Sequence, residues 1–291
     1  MRHVRSVLVA GAVAVAAAAC GLVPFGPDAA PRPRPKPLPP PATEAVYLVH
    51  GVQWDGTSDC AKTWRVTLGE LRRHGFRGEI VTWGYYRDDT NCTRVVPGTR
   101  DTPLKELSRQ LAWDIYRNHT SRGRPVAVLG HSMGGLVAAA AVAGVRKYGG
   151  RSPAWPPSLR VRNAVSLAAP YQGMKCRFAY KQCGDLRKGS PFLRWLATVP
   201  HPQGEGGTDW TLFSAEDDGP VKVPSALAAR ARHKITYLRG QGVGHTRVRN
   251  LGGPAPYRLR YSHTWGGDVR ETADGMSPMR QAAHALYSTD Y

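Results

Sequence analysis

Residues 125–135, Pro-Val-Ala-Val-Leu-Gly-His-Ser-Met-Gly-Gly, constrain the fold more than any other stretch of the chain. Residues 126–129 are a short apolar run, the pattern of a strand buried on both faces. Residues 136–145 are rich in alanine and read as a helix. Between them stands Gly130-His131-Ser132-Met133-Gly134, a G-x-S-x-G pentapeptide. Glycines on both sides of the turn let strand and helix approach where a Cβ would clash, and Ser132 is expected to take a strained backbone conformation. Strand, sharp turn and helix in this order predict an α/β fold.

The rest of the chain follows the same alternation. Strands are expected at 45–49, 79–83, 126–129, 161–167, 210–213 and 235–238, with helical segments between them. Leu104, Leu107, Leu111 and Ile115 share one helical face, and 276–287 reads as a final helix. This predicts a mostly parallel sheet covered by helices on both faces. About 250 residues suffice for one buried core. Nothing in 247–275 points to a function.

A serine at such a turn is a candidate nucleophile, since the helix that follows directs its N-terminal N–H groups at the site. Acyl transfer then needs a base, an orienting acid and oxyanion donors. The order serine, acid, histidine is available downstream. Glu216, Asp217 and Asp218 follow the strand-like stretch at 209–214, and His245 lies on a glycine-rich loop after the strand at 235–238. His50 and His131 flank motif glycines and are expected to pack beside the site. His263 and His284 lack the strand-plus-glycine context. The oxyanion donors are expected to be the Met133 N–H and, after the strand at 45–49, the Val52 N–H. No H-E-x-x-H spacing and no G-x-G-x-x-G after a strand occurs, so neither a metal nor a cofactor is expected.

Five stretches together resemble α/β-hydrolases of the bacterial lipase type, akin to lipase-like relatives of glycosylphosphatidylinositol inositol-deacylases. They are Val46-Tyr47-Leu48-Val49-His50-Gly51, Gly130-His131-Ser132-Met133-Gly134-Gly135, Ser166-Leu167-Ala168-Ala169-Pro170-Tyr171-Gln172-Gly173, Asp218-Gly219-Pro220-Val221 with Ser225-Ala226, and Gly242-Val243-Gly244-His245-Thr246. They span residues 44–250 in the family's order. The resemblance implies esterase or lipase chemistry on ester or lipid substrates, without a cofactor. It places the acid in an Asp-x-x-Val pattern, which selects Asp218. Gly219 and Pro220 also favour a tight turn that would hold its carboxylate inward. The family often has Pro-His-x-Gly where this chain has Pro170-Tyr171-Gln172-Gly173. An acyltransferase with the same triad, or a surface binding protein on an inactive hydrolase scaffold, are the alternatives.

Residues 1–19 carry Arg2 and Arg5 before an apolar stretch and read as a signal segment. Ala18-Ala19-Cys20-Gly21 resembles a bacterial lipobox, with Cys20 as the lipidated residue, although Ala17 stands where leucine is more usual. This predicts a chain anchored on the extracellular face of the cell membrane. Simple cleavage would release a secreted protein, and an uncleaved segment would be a marginal span. Residues 31–41 are largely proline and basic residues, a polyproline II spacer of roughly 30 Å at ~3.1 Å per residue. The expected organisation is therefore signal segment 1–19, lipidated linker 20–43 and catalytic domain 44–291.

Without Cys20 four cysteines remain, an even number suited to disulfides in an exported chain. Three pairings are possible. Cys60–Cys92 and Cys176–Cys183 are favoured, because each pair flanks one local insertion. The formal charge of +19 favours anionic surfaces such as phospholipid or envelope polymers. No nucleic-acid motif accompanies it, and a monomer is expected. The insertion at 171–208 carries Phe192, Leu193, Trp195 and Leu196. It is expected either to form a lid or acyl-binding wall, or to pack as a helix on the core.

Overall fold

The computed structural model describes residues 44–288. The expected signal segment, Cys20 and the proline-rich stretch lie outside the described residues. Nine strands form one sheet in the order β3-β2-β1-β4-β5-β6-β7-β8-β9. They are β1 Ala45–Val49, β2 Ile80–Gly84, β3 Arg94–Val95, β4 Val126–His131, β5 Val161–Leu167, β6 Asp209–Ala215, β7 His233–Tyr237, β8 Tyr257–Ser262 and β9 Arg270–Gly275. Every pairing from β3 to β7 is parallel, and β8 and β9 close the far edge antiparallel.

The helices are α1 Cys60–Arg73, α2 Leu104–Asn118, α3 Met133–Tyr148, α4 Lys181–Leu186, α5 Pro191–Ala197, α6 Val223–Ala226 and α7 Pro278–Ala285. Strand alternation sorts the core into two layers. Tyr47 and Val49 of β1 pack with α2, α3 and α5, whereas Val46 and Leu48 pack with α1 and α7. All thirteen residues from Met133 to Val145 are buried, which explains why this helix is almost free of polar side chains. The mostly parallel sheet with helices on both faces is the expected architecture.

Several boundaries move. The second strand runs one residue later than the expected 79–83, and the last parallel strand ends at Tyr237. Residues 247–275, which suggested no element, contain β8 and β9. In β8, Leu259 is buried while Arg258 and Arg260 point outward. In β9 only Gly275 is buried, so the edge strand has little apolar signal to read.

The expected disulfides both form, Cys60–Cys92 and Cys176–Cys183, with Cα atoms 4.9 and 5.5 Å apart. The first joins the start of α1 to the loop before β3. The second closes a short loop before and within α4. Asp185 of α4 accepts the Leu104 N–H at 2.9 Å, so it caps the first turn of α2. In α5, Phe192, Leu193 and Leu196 are buried in the same cluster as α3. The Trp195 indole N–H donates to the Tyr148 hydroxyl at 2.9 Å. Phe192, Leu193, Trp195 and Leu196 of the 171–208 insertion are thus packed on the core, the second of the two arrangements expected for them.

Candidate active site

Ser132 sits between β4 and α3 with φ 53° and ψ −123°, a conformation that L-residues rarely adopt. The turn is held because the Ser132 N–H donates to the Leu167 carbonyl of β5 at 2.8 Å. It is possible only because its neighbours lack side chains. A Cβ on Gly130 would lie 2.5 Å from the Gly134 carbonyl oxygen, and one on Gly134 would run into the Val49 and His50 carbonyl oxygens.

Asp218 and His245 converge on this serine. His245 Nε2 lies 2.9 Å from Ser132 Oγ, and His245 Nδ1 lies 2.8 Å from Asp218 Oδ2. Asp218 is buried, and its Oδ1 accepts the Val221 N–H at 2.7 Å. This is the tight Asp218–Val221 turn read from the sequence, and it aims the other carboxylate oxygen at the imidazole. With Asp218 accepting from Nδ1–H, Nε2 carries a free lone pair toward the serine hydroxyl.

Glu216 and Asp217 do not touch the imidazole. Each has backbone partners instead. Glu216 accepts the Arg239 N–H at 3.0 Å, and Asp217 accepts those of Gly240, Gln241 and Gly242 at 3.0 to 3.2 Å. Three converging N–H groups, Gly240 first, hold the Asp217 carboxyl below the ordinary range. Asp217 thereby organises the glycine-rich loop that carries His245.

His131 and His50 do pack beside the site, as expected, and their roles are now visible. His131 Nε2 donates to the His245 carbonyl oxygen at 2.8 Å, which ties the His245 loop to the serine turn. Burial pushes the pKa of His131 well below the ordinary histidine value, so it is a neutral clamp rather than a base. His50 is fully buried, with Nδ1 2.8 Å from the Gly51 carbonyl and Nε2 2.9 Å from Asp89 Oδ2. Both ring nitrogens thus face oxygen atoms. Asp89 also accepts the N–H groups of Ser58, Tyr85 and Tyr86, and the Tyr85 hydroxyl reaches the His50 and Gly51 carbonyls. This buried network fixes the loop that presents Val52. The sequence reading missed Asp89, because nothing local marks a carboxylate 39 residues from its histidine.

Tyr171, which stands where the resembled family has histidine, packs against the core and donates its hydroxyl to Ser166 Oγ at 3.1 Å. Burial raises its phenol pKa to about 12. Ser225 Oγ accepts the Gln172 N–H and donates to the Gly173 carbonyl, so the Ser225-Ala226 motif anchors this loop.

A cavity of about 340 Å³ opens over Ser132 and His245. Gly51, Val52 and Gln53 form one wall, Met174 and Pro220 contribute apolar surface, and Trp54 and Arg249 also line it. Val52 lies on the loop after β1 that lines this cavity, and Met133 opens α3 directly after the serine. From the whole 171–208 insertion, only Met174 reaches this cavity. Trp54 is 44% exposed at the rim, where its ring lies 5.1 Å from that of Phe178, which in turn stacks on Tyr180.

Residues 105–230 match a family described as "Putative serine esterase (DUF676)". That range contains Ser132 and Asp218 and stops short of His245. No curated protein sequence matches the chain. Among solved structures, the chain is similar to the lipase BlEst2 of Bacillus licheniformis in its propeptide form. The TM-score is 0.50 at 14% identity, over 76% of this chain and 50% of that one. The chain therefore spans about half the length of that lipase. The product of gene lin2722 from Listeria innocua is similar at TM-score 0.48 and 14% identity, over 72% of this chain and 90% of that one. A lipase-esterase related protein from Clostridium acetobutylicum is similar at TM-score 0.43 and 12% identity, over 71% and 89%. Residues 105–230 thus match a family of putative serine esterases, and the chain shares the α/β-hydrolase fold of the Bacillus licheniformis lipase.

Proposed function

We propose that this protein hydrolyses carboxylic esters through an acyl-enzyme on Ser132. The observation that carries this reading is the unbroken hydrogen-bond line from Asp218 Oδ2 through His245 to Ser132 Oγ, at 2.8 and 2.9 Å, on the wall of an open cavity. Ser132 Oγ attacks the ester carbonyl while His245 Nε2 takes its proton. Asp218 holds the Nδ1–H and stabilises the imidazolium that forms. The Met133 and Val52 N–H groups receive the developing oxyanion, each contributing roughly 3 kcal/mol of transition-state stabilisation. His245 then returns the proton to the departing alcohol. Water attacks the acyl-enzyme with His245 as base, which restores the serine.

The test is a hydrolysis profile across acyl esters from short to long. Turnover should fall by about 10⁴ or more in Ser132→Ala and His245→Ala, on the precedent of other serine hydrolases. Variants that keep more than a tenth of the wild-type turnover would remove Ser132 and His245 from the chemistry.

We further propose that the protein is exported and held by a lipid on Cys20 at the extracellular face of the membrane, where its basic surface meets anionic envelope components. The two disulfides support an oxidising compartment. The formal charge of +19 supports an anionic surface nearby. Cys20→Ser should move the protein from the membrane fraction to the medium, and unchanged fractionation would refute the anchor.

A further inference from the structure

Arg249 has no part in the ester chemistry, yet it lines the same cavity as Ser132 and His245. It ends a short 3-10 turn, Arg247–Arg249, that begins two residues after His245. Its Nη1 donates to the Thr63 carbonyl of α1 and to Asn250 Oδ1, which fixes the guanidinium beside the catalytic loop. Nε and Nη2 have no acceptor among the described residues.

No carboxylate among the described residues matches the charge of Arg249. Among the described residues it forms no ion pair, in contrast with Arg94, which is also partly buried and pairs with both Asp114 and Glu79. Burial alone pushes the Arg249 pKa below the ordinary arginine value, and no carboxylate opposes that push. A guanidinium drawn out of water without a counter-ion is costly, and neutral acceptors on one nitrogen compensate it only in part. The charge also reaches the site, because it acts against protonation of His131. The remaining donors form a planar fork of the kind that matches a carboxylate or phosphate.

We infer that Arg249 is an anion-recognising residue of the cleft, and that the ester cleaved at Ser132 carries a carboxylate or phosphate close to the scissile bond. This rests on the esterase reading above and narrows it to a substrate class. Other residues of the same lining fit the rest of such a molecule. Met174 and the half-exposed Trp54 offer apolar surface at the same cavity, continued outward by Phe178 and Tyr180. The substrate class is therefore an amphiphilic anionic ester, with its charge at Arg249 and its apolar part along Trp54 and Met174.

The rival role for Arg249 is a brace that ties the His245 loop to α1 through Thr63. Matched substrate pairs separate the two. Steady-state kinetics of the full chain and of Arg249→Gln and Arg249→Lys would compare 4-nitrophenyl butyrate with mono(4-nitrophenyl) glutarate, which adds a carboxylate. They would also compare monomeric dihexanoylglycerol with its 3-phosphate. The wild type should prefer the anionic member of at least one pair. In Arg249→Gln that preference, as a ratio of kcat/KM values, should fall about tenfold to hundredfold, mainly through KM, as expected for loss of charged hydrogen bonds. Arg249→Lys should retain part of it. A fall confined to the glutarate pair assigns a carboxylate, and one confined to the phosphate pair assigns a phosphate. If both members decline in parallel and the ratios stay at their wild-type values, Arg249 is only a brace and the inference fails while the esterase reading stands. If the wild type cleaves none of the four esters, the esterase reading fails and this inference with it.

Discussion

Replacing Asp218 with asparagine tests the site at its most constrained atom. The two carboxylate oxygens are already assigned, Oδ1 to the Val221 N–H at 2.7 Å and Oδ2 to His245 Nδ1 at 2.8 Å. In Asp218→Asn the buried Val221 donor claims the amide oxygen, because the reverse flip would set two donors face to face at a cost of about 1–3 kcal/mol. The amide NH₂ then points at His245 Nδ1, which must become an acceptor. The ring proton moves to Nε2, which faces Ser132 Oγ at 2.9 Å, and the base is lost. The same tautomer inversion lowers turnover about 10⁴-fold in a serine protease. We expect a loss of two to four orders of magnitude, or about 3–5 kcal/mol at ~1.36 kcal/mol per decade. The assay is turnover of a chromogenic ester by purified protein whose fold is checked by circular dichroism and thermal unfolding. Glu216→Gln and Asp217→Asn should stay within a few-fold of wild type, since neither carboxylate touches the imidazole. An Asp218→Asn enzyme within a few-fold of wild type, or a crippled Asp217→Asn, would refute the reasoning.

Three further outcomes follow from other parts of the structure. Asp89→Ala leaves His50 Nε2 and the Ser58, Tyr85 and Tyr86 N–H groups buried without their acceptor and should destabilise the fold by about 3–5 kcal/mol, read as a lower denaturation midpoint; an unchanged midpoint would mean that the network does not hold the Val52 loop. Asp217 has a folded pKa depressed by the loop N–H groups, so its stabilisation is present at neutral pH and is lost as pH falls below about 4; Asp217→Asn should flatten that part of the stability curve, and parallel curves for the two proteins would contradict this. Because Phe192, Leu193 and Leu196 are packed on α3, turnover should saturate without a break where the substrate reaches its solubility limit, whereas a sharp rise there would mean that α5 lifts from the core.

What could be read in the sequence had a local cause. The glycine pair, the apolar run and the alanine-rich segment around Ser132 sit within one strand–turn–helix unit, so the turn was legible residue by residue. Asp218 could be chosen over Glu216 and Asp217 because the resembled family has an Asp-x-x-Val pattern here, with a Gly-Pro pair suited to a tight turn between Asp218 and Val221. His245 could be placed because its loop is rich in glycine. The two disulfides could be paired because each closes a local segment. The groups that escaped notice act across distance. His50 and Asp89 meet only once β1 and β2 lie side by side. Arg249 is one arginine among many until the fold sets it in the cavity over Ser132, without a carboxylate partner among the described residues. Nothing beside Asp217 marks its role, because its partners are backbone N–H groups more than twenty residues on. The edge strands β8 and β9 were missed for a different reason. They pack little apolar surface, so hydrophobic patterning gives them almost no signal.

The central claim is that Ser132 is a nucleophile activated by His245, and covalent capture tests it most directly. A fluorophosphonate reacts with an activated serine and spares ordinary hydroxyls. Intact-protein and peptide mass spectrometry of the treated chain should find one adduct, on Ser132, forming in step with loss of ester turnover. The adduct should be absent from Ser132→Ala and strongly slowed in His245→Ala. A folded wild-type chain that gains no adduct, or gains one elsewhere while still cleaving esters, would contradict the account.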